Sequence, residues 1–149
     1  MNSRAEFVKL FREIHPKFSH LYAKMLDDIN LTLPQYALLN QLVLLGSVSM
    51  TEISNRLRIT KPAVTNLVDR LEEKKFLRRV PHPKDRRIIL LSILPKGEKA
   101  IANVQAYSLD IILKAHDRFN DAEHKIISRF YSTLSRTIDG FLTGEKNEK

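Results

Sequence analysis

The sequence predicts a mainly helical α+β fold, and three observations support this prediction. Over most of the 149 residues, apolar side chains recur at steps of three and four, which is the spacing of amphipathic helices. Residues 76–80 and the β-branched run 88–94 break this spacing and predict the two strands of a β-hairpin. Hydrophobic residues make up 43% of the chain, and its length fits one domain spanning residues 1–149.

Long amphipathic helices open and close the chain. Residues 1–30 carry an apolar stripe that keeps its phase across Pro16, so we expect a kinked helix or two helices end to end. Residues 95–144 predict two more helices, the second of which begins at a capping box formed by Asn120 and Glu123. The apolar faces of these long helices have no obvious partner inside so small a core.

The central segment, residues 32–93, predicts three shorter helices and then the hairpin. Thr32 is suited to cap the first of these helices, and Gly46 is suited to end it. Ser49 and Glu52 predict a capping box at the start of the second helix.

The third central helix and the hairpin complete the pattern. The helix spans about residues 60–75 and is capped by Thr60. Its buried stripe comprises Val64, Leu67, Val68 and Leu71. The hairpin, which we call the wing, spans about residues 76–93. A helix–turn–helix followed directly by a hairpin is a winged helix–turn–helix, so residues 32–93 predict a DNA-binding domain.

The charge of the chain is concentrated in this central segment. The formal net charge is +8, and residues 56–87 contain eleven basic and four acidic side chains, which give this segment +7. The rest of the chain is therefore close to neutral. A basic field of this kind predicts an anionic partner such as nucleic acid.

Several classes of protein are not supported by the sequence. The absence of cysteine excludes disulfides, thiolate zinc sites and cysteine redox chemistry. No phosphate-binding glycine loop or nucleophile motif is present, so we expect no enzyme activity and no cofactor. We also expect no metal, although folding could assemble a site from His116, His124 and nearby carboxylates. No apolar run is long enough to cross a membrane, and the N-terminus does not look like a secretory signal.

The outward face of the helix at 60–75 supplies candidate DNA contacts. In helix–turn–helix proteins the N-terminal residues of the second helix reach base edges in the major groove. Arg70 lies further along the helix and is expected to contact backbone phosphate. The candidates for base contact are Thr60, Lys61, Thr65 and Asn66, and Pro62 is a further candidate DNA contact on the same outward face.

The tip of the wing supplies a second set of contacts. Lys84, Arg86 and Arg87 place cations there, and a narrow A·T-rich minor groove attracts arginine. Asp85 is expected to hold one of these arginines in a bidentate pair that shapes the wing. His82 is expected to be a phosphate neighbour or simply exposed.

A second carboxylate, on the helix at 60–75, is expected to hold the wing in shape by pairing with an arginine of the first strand. Asp69 is a candidate partner for Arg78 or Arg79.

Three stretches resemble the MarR family of winged-helix transcription regulators of prokaryotes. They are the run from Leu31 to Leu39, the run from Thr60 to Glu72, and Pro83–Arg87 with the later pair Lys96–Gly97. The resemblance implies a homodimer, joined through residues 1–30 and 95–144, that binds a near-palindromic operator as a repressor. It also implies that Arg87 enters the minor groove and that Arg86 makes a structural or phosphate contact.

The chain departs from the family pattern at two positions. Lys75 stands where the family commonly has glycine, so either this lysine adopts a positive φ at a cost of about 1 kcal/mol or the turn differs. Leu94 stands where a capping threonine is usual.

The resemblance further implies a small anionic or aromatic ligand that releases the DNA. The expected walls of its pocket are Phe11, His15, Phe18 and Tyr36. A cytoplasmic, nucleoid-associated location follows from the same resemblance. Two other functions stay open at this point: a winged helix used for protein–protein contact, and a protein that coats DNA without sequence preference.

Overall fold

The computed structural model describes residues 3–144 and contains six helices and three strands within that range. In chain order they are α1 (Ser3–Asp28), α2 (Leu33–Leu45), β1 (Val48–Ser49), α3 (Met50–Leu57), α4 (Lys61–Glu73), β2 (Leu77–Pro81), β3 (Ile89–Ile93), α5 (Pro95–His116) and α6 (Asp121–Thr143). The mainly helical fold with a hairpin after a helix–turn–helix is confirmed. The chain forms two compact units, whose boundary falls within α5 between Ser108 and Leu109.

The first unit is built around the winged helix–turn–helix. Its core joins the inner faces of α2, α3 and α4 to the sheet and to the start of α5. Residues with almost no exposed surface include Leu38, Leu39, Leu42, Ile53, Val64, Val68, Leu71, Leu77, Leu91 and Ile101. The stripe predicted for α4 therefore faces this core, with Leu67 half-buried at its edge.

A small antiparallel sheet supports the wing. Its strand order is β1-β3-β2, with Arg79 of β2 opposite Leu91 of β3 and Val48 of β1 on the other side of Leu91. The sequence analysis missed β1, because two residues are too short to show a period. Pro81, which the sequence places in the turn, ends β2 instead.

The helix ends follow the predicted capping signals, except at the start of α3 and at the end of α4. Thr32 and Gln35 form a complete capping box at α2, and Gly46 ends that helix with φ 76°. At α3 only half of the predicted box forms: Ser49 Oγ accepts from the Glu52 amide at 3.1 Å, while the Glu52 carboxylate accepts from Arg56. Arg56, one turn further along the helix, has replaced the Ser49 amide as the partner of the Glu52 carboxylate.

Helix α4 ends two residues earlier than predicted. The Lys75 amide donates a hydrogen bond to the Glu72 carbonyl, and the Phe76 amide donates one to the Leu71 carbonyl, both at 2.9 Å. This pair of hydrogen bonds is the Schellman motif. Lys75 has φ 59°, so the lysine does adopt the left-handed conformation that glycine usually occupies.

Helix α1 runs without interruption from Ser3 to Asp28, with Pro16 inside it. The alternative of two helices end to end is therefore wrong. The helix presents an exposed apolar surface formed by Phe7, Leu10, Phe11 and Ile14. Within residues 3–144, no helix is both long and apolar enough to cross a membrane.

The second unit contains the end of α5 and all of α6. Asn120 and Glu123 form the predicted capping box at the start of α6. None of the side chains in α6 is buried. Its exposed apolar residues are Ile126, Phe130, Leu134, Ile138, Phe141 and Leu142.

Candidate nucleic-acid interface

The outward face of α4 is a row of exposed polar side chains. Thr60 caps the helix, its Oγ1 accepting from the Ala63 amide at 3.3 Å. Thr65 Oγ1 donates to the Lys61 carbonyl at 3.1 Å, which leaves its oxygen available as an acceptor. All six candidates on this face are exposed: Thr60, Lys61, Pro62, Thr65, Asn66 and Arg70.

The loop between β2 and β3 carries the other three candidates. Lys84, Arg86 and Arg87 are all exposed, and the Arg87 side chain keeps 91% of its surface. Asp85 holds Arg87 in a bidentate pair, with Nε at 3.1 Å from Oδ1 and Nη2 at 3.2 Å from Oδ2. The hydrogen bonds from Arg87 hold the pKa of Asp85 below its ordinary value, so this carboxylate stays ionised at neutral pH.

Arg79 ties the base of the wing to α4. Its Nη2 donates to Asp69 Oδ1 at 2.6 Å, its Nη1 donates to Glu72 Oε2, and its backbone amide donates to Glu72 Oε1 at 3.0 Å. Burial lowers the pKa of Arg79, but the two carboxylates outweigh burial and raise this pKa above its ordinary value. Helix and wing are therefore joined by one guanidinium group shared between two carboxylates.

This cluster differs in part from the sequence expectation. The partner of Asp69 is Arg79 and not Arg78, and Glu72 was missed. Glu72 stands three residues after Asp69, on the same face of α4, and that spacing is the signal that could have identified it.

His82 lies at the start of the wing loop and was also missed as a structural residue. Its Nδ1 accepts from the amides of Lys84 at 3.1 Å and Asp85 at 3.3 Å. No feature of the sequence alone distinguishes this role from an exposed histidine.

A pocket of about 640 Å³ lies between α1 and the start of α2, within the first unit. Three of the four expected wall residues line it: His15, Phe18 and Tyr36. Phe11 does not line it but stacks on His15, with ring centroids 5.7 Å apart. The polar lining also includes Ser19, Tyr22, Asp27 and Thr32, which were not anticipated.

Tyr36 is a neutral hydrogen-bonding group in this pocket. Burial raises the pKa of its hydroxyl, the neighbouring Tyr22 raises it further, and a hydrogen bond with Gln105 only partly opposes them. The hydroxyl therefore keeps its proton at neutral pH.

The two histidines considered for a metal site do lie together. The rings of His116 and His124 stack with centroids 3.8 Å apart, and His124 Nε2 lies 2.9 Å from the His116 carbonyl. Among residues 3–144, no group of three histidine or acidic side chains is arranged to hold a metal ion.

A family model, individual proteins and solved structures all match this chain, and they indicate the same family. The family model described as MarR family matches residues 29–88, which include α2 to α4 and most of the wing. Residues 29–88 of the chain belong to the MarR family. This membership confirms the resemblance predicted from the sequence and places the chain among transcriptional regulators.

Individual relatives extend the match over nearly the whole chain. The HTH-type transcriptional regulator YsmB of Bacillus subtilis is 27% identical over 134 residues, which are 90% of this chain and 92% of the relative. The HTH-type transcriptional repressor MdtR of the same species is 34% identical over 97 residues, 65% of this chain and 60% of the relative. The structure of a MarR family protein from Bacillus stearothermophilus superimposes with a TM-score of 0.77 at 28% identity, covering 93% of this chain and 99% of that one.

Proposed function

We propose that the chain binds double-stranded DNA in a sequence-specific manner, as a homodimer on a near-palindromic operator, and represses transcription from it. The observation that carries this proposal is the exposed basic surface made by α4 and the wing. It is rigidly supported, since Arg79 ties the wing to α4. MdtR, a repressor by name, is among the relatives of the chain.

In this proposal each element has a separate task on the duplex. The first turn of α4 lies in the major groove, where Lys61, Thr65 and Asn66 contact base edges and Arg70 contacts phosphate. The wing reaches the flanking minor groove, where Arg87 is the inserted side chain and Arg86 contacts phosphate.

Dimerisation supplies the second half-site. Helices α1, α5 and α6 expose large apolar side chains such as Phe11, Ile112 and Leu134. Helix α6 buries no side chain within the described residues, which is unusual for an amphipathic helix of a folded protein. A second copy of the chain covers these faces and sets the distance between the two α4 helices.

A small aromatic ligand in the pocket between α1 and α2 is proposed to regulate binding. The pocket adjoins α1, so a ligand can favour one position of α1 over another through its differential affinity. Proteins of this kind need no catalytic activity and no membrane partner, and we assign neither. The proposed place of action is the cytoplasmic nucleoid, where the operator lies.

The test is a selection of bound duplexes from a random pool at about physiological salt. We expect a near-palindromic motif with half-sites about ten base pairs apart. The Arg87→Ala protein is expected to bind the selected duplex less tightly and to lose the A·T preference at its flanks. Substitution of Arg118, which lies outside the winged unit, is the matched control for the loss of one positive charge.

Each other outcome assigns a different function. Salt-steep binding to every duplex without a recovered motif would indicate a protein that coats DNA. Binding to no duplex would indicate that the winged helix contacts protein. If Arg87→Ala kept both the affinity and the flank preference, the minor-groove role of Arg87 would be wrong.

A further inference from the structure

The wing loop poses a local hydrogen-bonding problem. Between β2 and β3 the chain turns through residues 82–88 without a glycine, and Pro83 has no amide hydrogen to contribute. The loop is closed at its base by the His82 amide, which donates to the Ile88 carbonyl at 2.9 Å. The amides of Lys84 and Asp85 then need an acceptor inside the loop.

The imidazole of His82 supplies that acceptor. Its Nδ1 receives the Lys84 amide from two residues ahead and the Asp85 amide from three residues ahead, at 3.1 and 3.3 Å. This is the pattern by which aspartate and asparagine side chains close turns. A ring nitrogen can accept in this way only when it carries no proton, so the ring is required in the tautomer protonated at Nε2.

The second of these amides belongs to the residue that holds Arg87. Asp85 Oδ1 accepts from both the amide and Nε of Arg87 at 3.1 Å, and its Oδ2 accepts from Nη2. A continuous chain of hydrogen bonds therefore runs from the His82 ring, through the backbone and carboxylate of Asp85, to the guanidinium group of Arg87.

We propose that His82 is a positioning residue for Arg87. Its unprotonated Nδ1 fixes the backbone of Asp85, and the carboxylate of Asp85 then aims the guanidinium group. The consequence for DNA rests on the proposed function, whereas the ordering of the loop does not. His82 acts through Asp85 and is not itself assigned a contact with a base.

The experiment compares His82→Ala, which removes the acceptor, with His82→Asn, whose side-chain oxygen can accept the same two amides. Ser47→Ala is the control, because Ser47 is exposed in the turn between α2 and β1, outside the proposed DNA contacts and the proposed dimer helices. Two quantities are measured for each full-length protein. They are the hydrogen-exchange rates of the Lys84 and Asp85 amides without DNA, and the affinity for the duplex selected by the wild-type protein.

We expect His82→Ala to speed exchange at both amides and to weaken DNA binding about tenfold, the effect of losing one to two hydrogen bonds. The flank preference should fall with it, as for Arg87→Ala. His82→Asn should restore slow exchange and most of the affinity, and Ser47→Ala should change neither quantity.

The proposal is overturned if His82→Ala leaves the exchange rates of both amides unchanged, or if His82→Asn performs no better than His82→Ala. These outcomes are separate from a failure of the proposed function. A wild-type protein that binds no duplex would refute DNA binding, while amide exchange would still decide whether His82 orders the loop.

Discussion

Single side chains decide how firmly the wing is attached to α4. Arg79 is the side chain on which this attachment depends, because it is shared by Asp69 and Glu72 and its own amide is bound as well. It is also the least exposed of the three, at 29% of its side-chain surface against 57% for Asp69 and 38% for Glu72. The partial exposure of the carboxylates screens the attraction and limits its contribution to stability.

Arg79→Ala should therefore lower the free energy of unfolding by about 1 kcal/mol. Each partly exposed ion pair contributes little, but one guanidinium group bound by two carboxylates contributes more than a single pair. Denaturant unfolding measures this difference. Arg78→Ala, one residue away and exposed, is the control and should stay within about 0.5 kcal/mol of the wild type. Equal stability of the two variants would show that the network does not hold the wing.

The ion pair at the wing tip gives a pH dependence with a definite sign. Arg87 lowers the pKa of Asp85, so the ordering of the loop by this pair is complete above the ordinary aspartate value of about 3.9. It is lost only as the pH falls through the lowered value. NMR titration of the Asp85 carboxyl should give a midpoint below 3.9, and Arg87→Ala should move it upward. A midpoint unchanged by Arg87→Ala would contradict the pairing.

Secondary-structure elements were predicted well where the sequence repeats a period or uses a known cap. The six helices and the wing follow from apolar spacing and from Thr32, Thr60 and Asn120. Strand β1 could not be predicted, because its two residues exist as a strand only through pairing with β3. Likewise, the carboxylate of Glu52 has two competing partners, and only the folded structure shows that Arg56 prevails.

Lys75, like Asn30 and Arg58, is a non-glycine residue with a positive φ, and it closes the end of α4. Its φ of 59° is costly for a residue with a Cβ, and its side chain is exposed, so Lys75→Gly should raise the free energy of unfolding by about 0.5–1 kcal/mol. Lys74→Gly is the neighbouring control: with φ −78° it relieves no strain and should not stabilise the protein. A Lys75→Gly protein that unfolds more easily than the wild type would contradict this account of the α4 terminus.

At the scale of the whole molecule, the charge and the apolar surface are divided between different parts of the chain. The +7 segment, residues 56–87, runs from the end of α3 through α4 to the wing loop, whereas α6 exposes a nearly continuous apolar stripe. The sequence predicted this division, because net charge and periodicity are visible without coordinates. It could not predict that Asp69 and Glu72 share Arg79, because that depends on how α4 packs beside β2, or that Nδ1 of His82 accepts two amides, because that depends on the backbone conformation of the loop.

The proposed function depends on geometry between two protomers. In that proposal the two α4 helices must lie about one DNA turn apart, on the order of 34 Å, to enter successive major grooves on one face of the duplex. The proposed regulation through the long helices has the same basis, since a small change in their packing would alter this distance.

The most direct test of this account measures affinity for the selected duplex before and after five base pairs are inserted at its centre. The insertion rotates one half-site to the opposite face of the DNA, so we predict a loss of affinity of about 100-fold, toward that of a single half-site. Replacing five central base pairs without insertion is the control and should cost far less. Unchanged affinity after the insertion would contradict the account, because it would mean that each protomer binds its half-site alone.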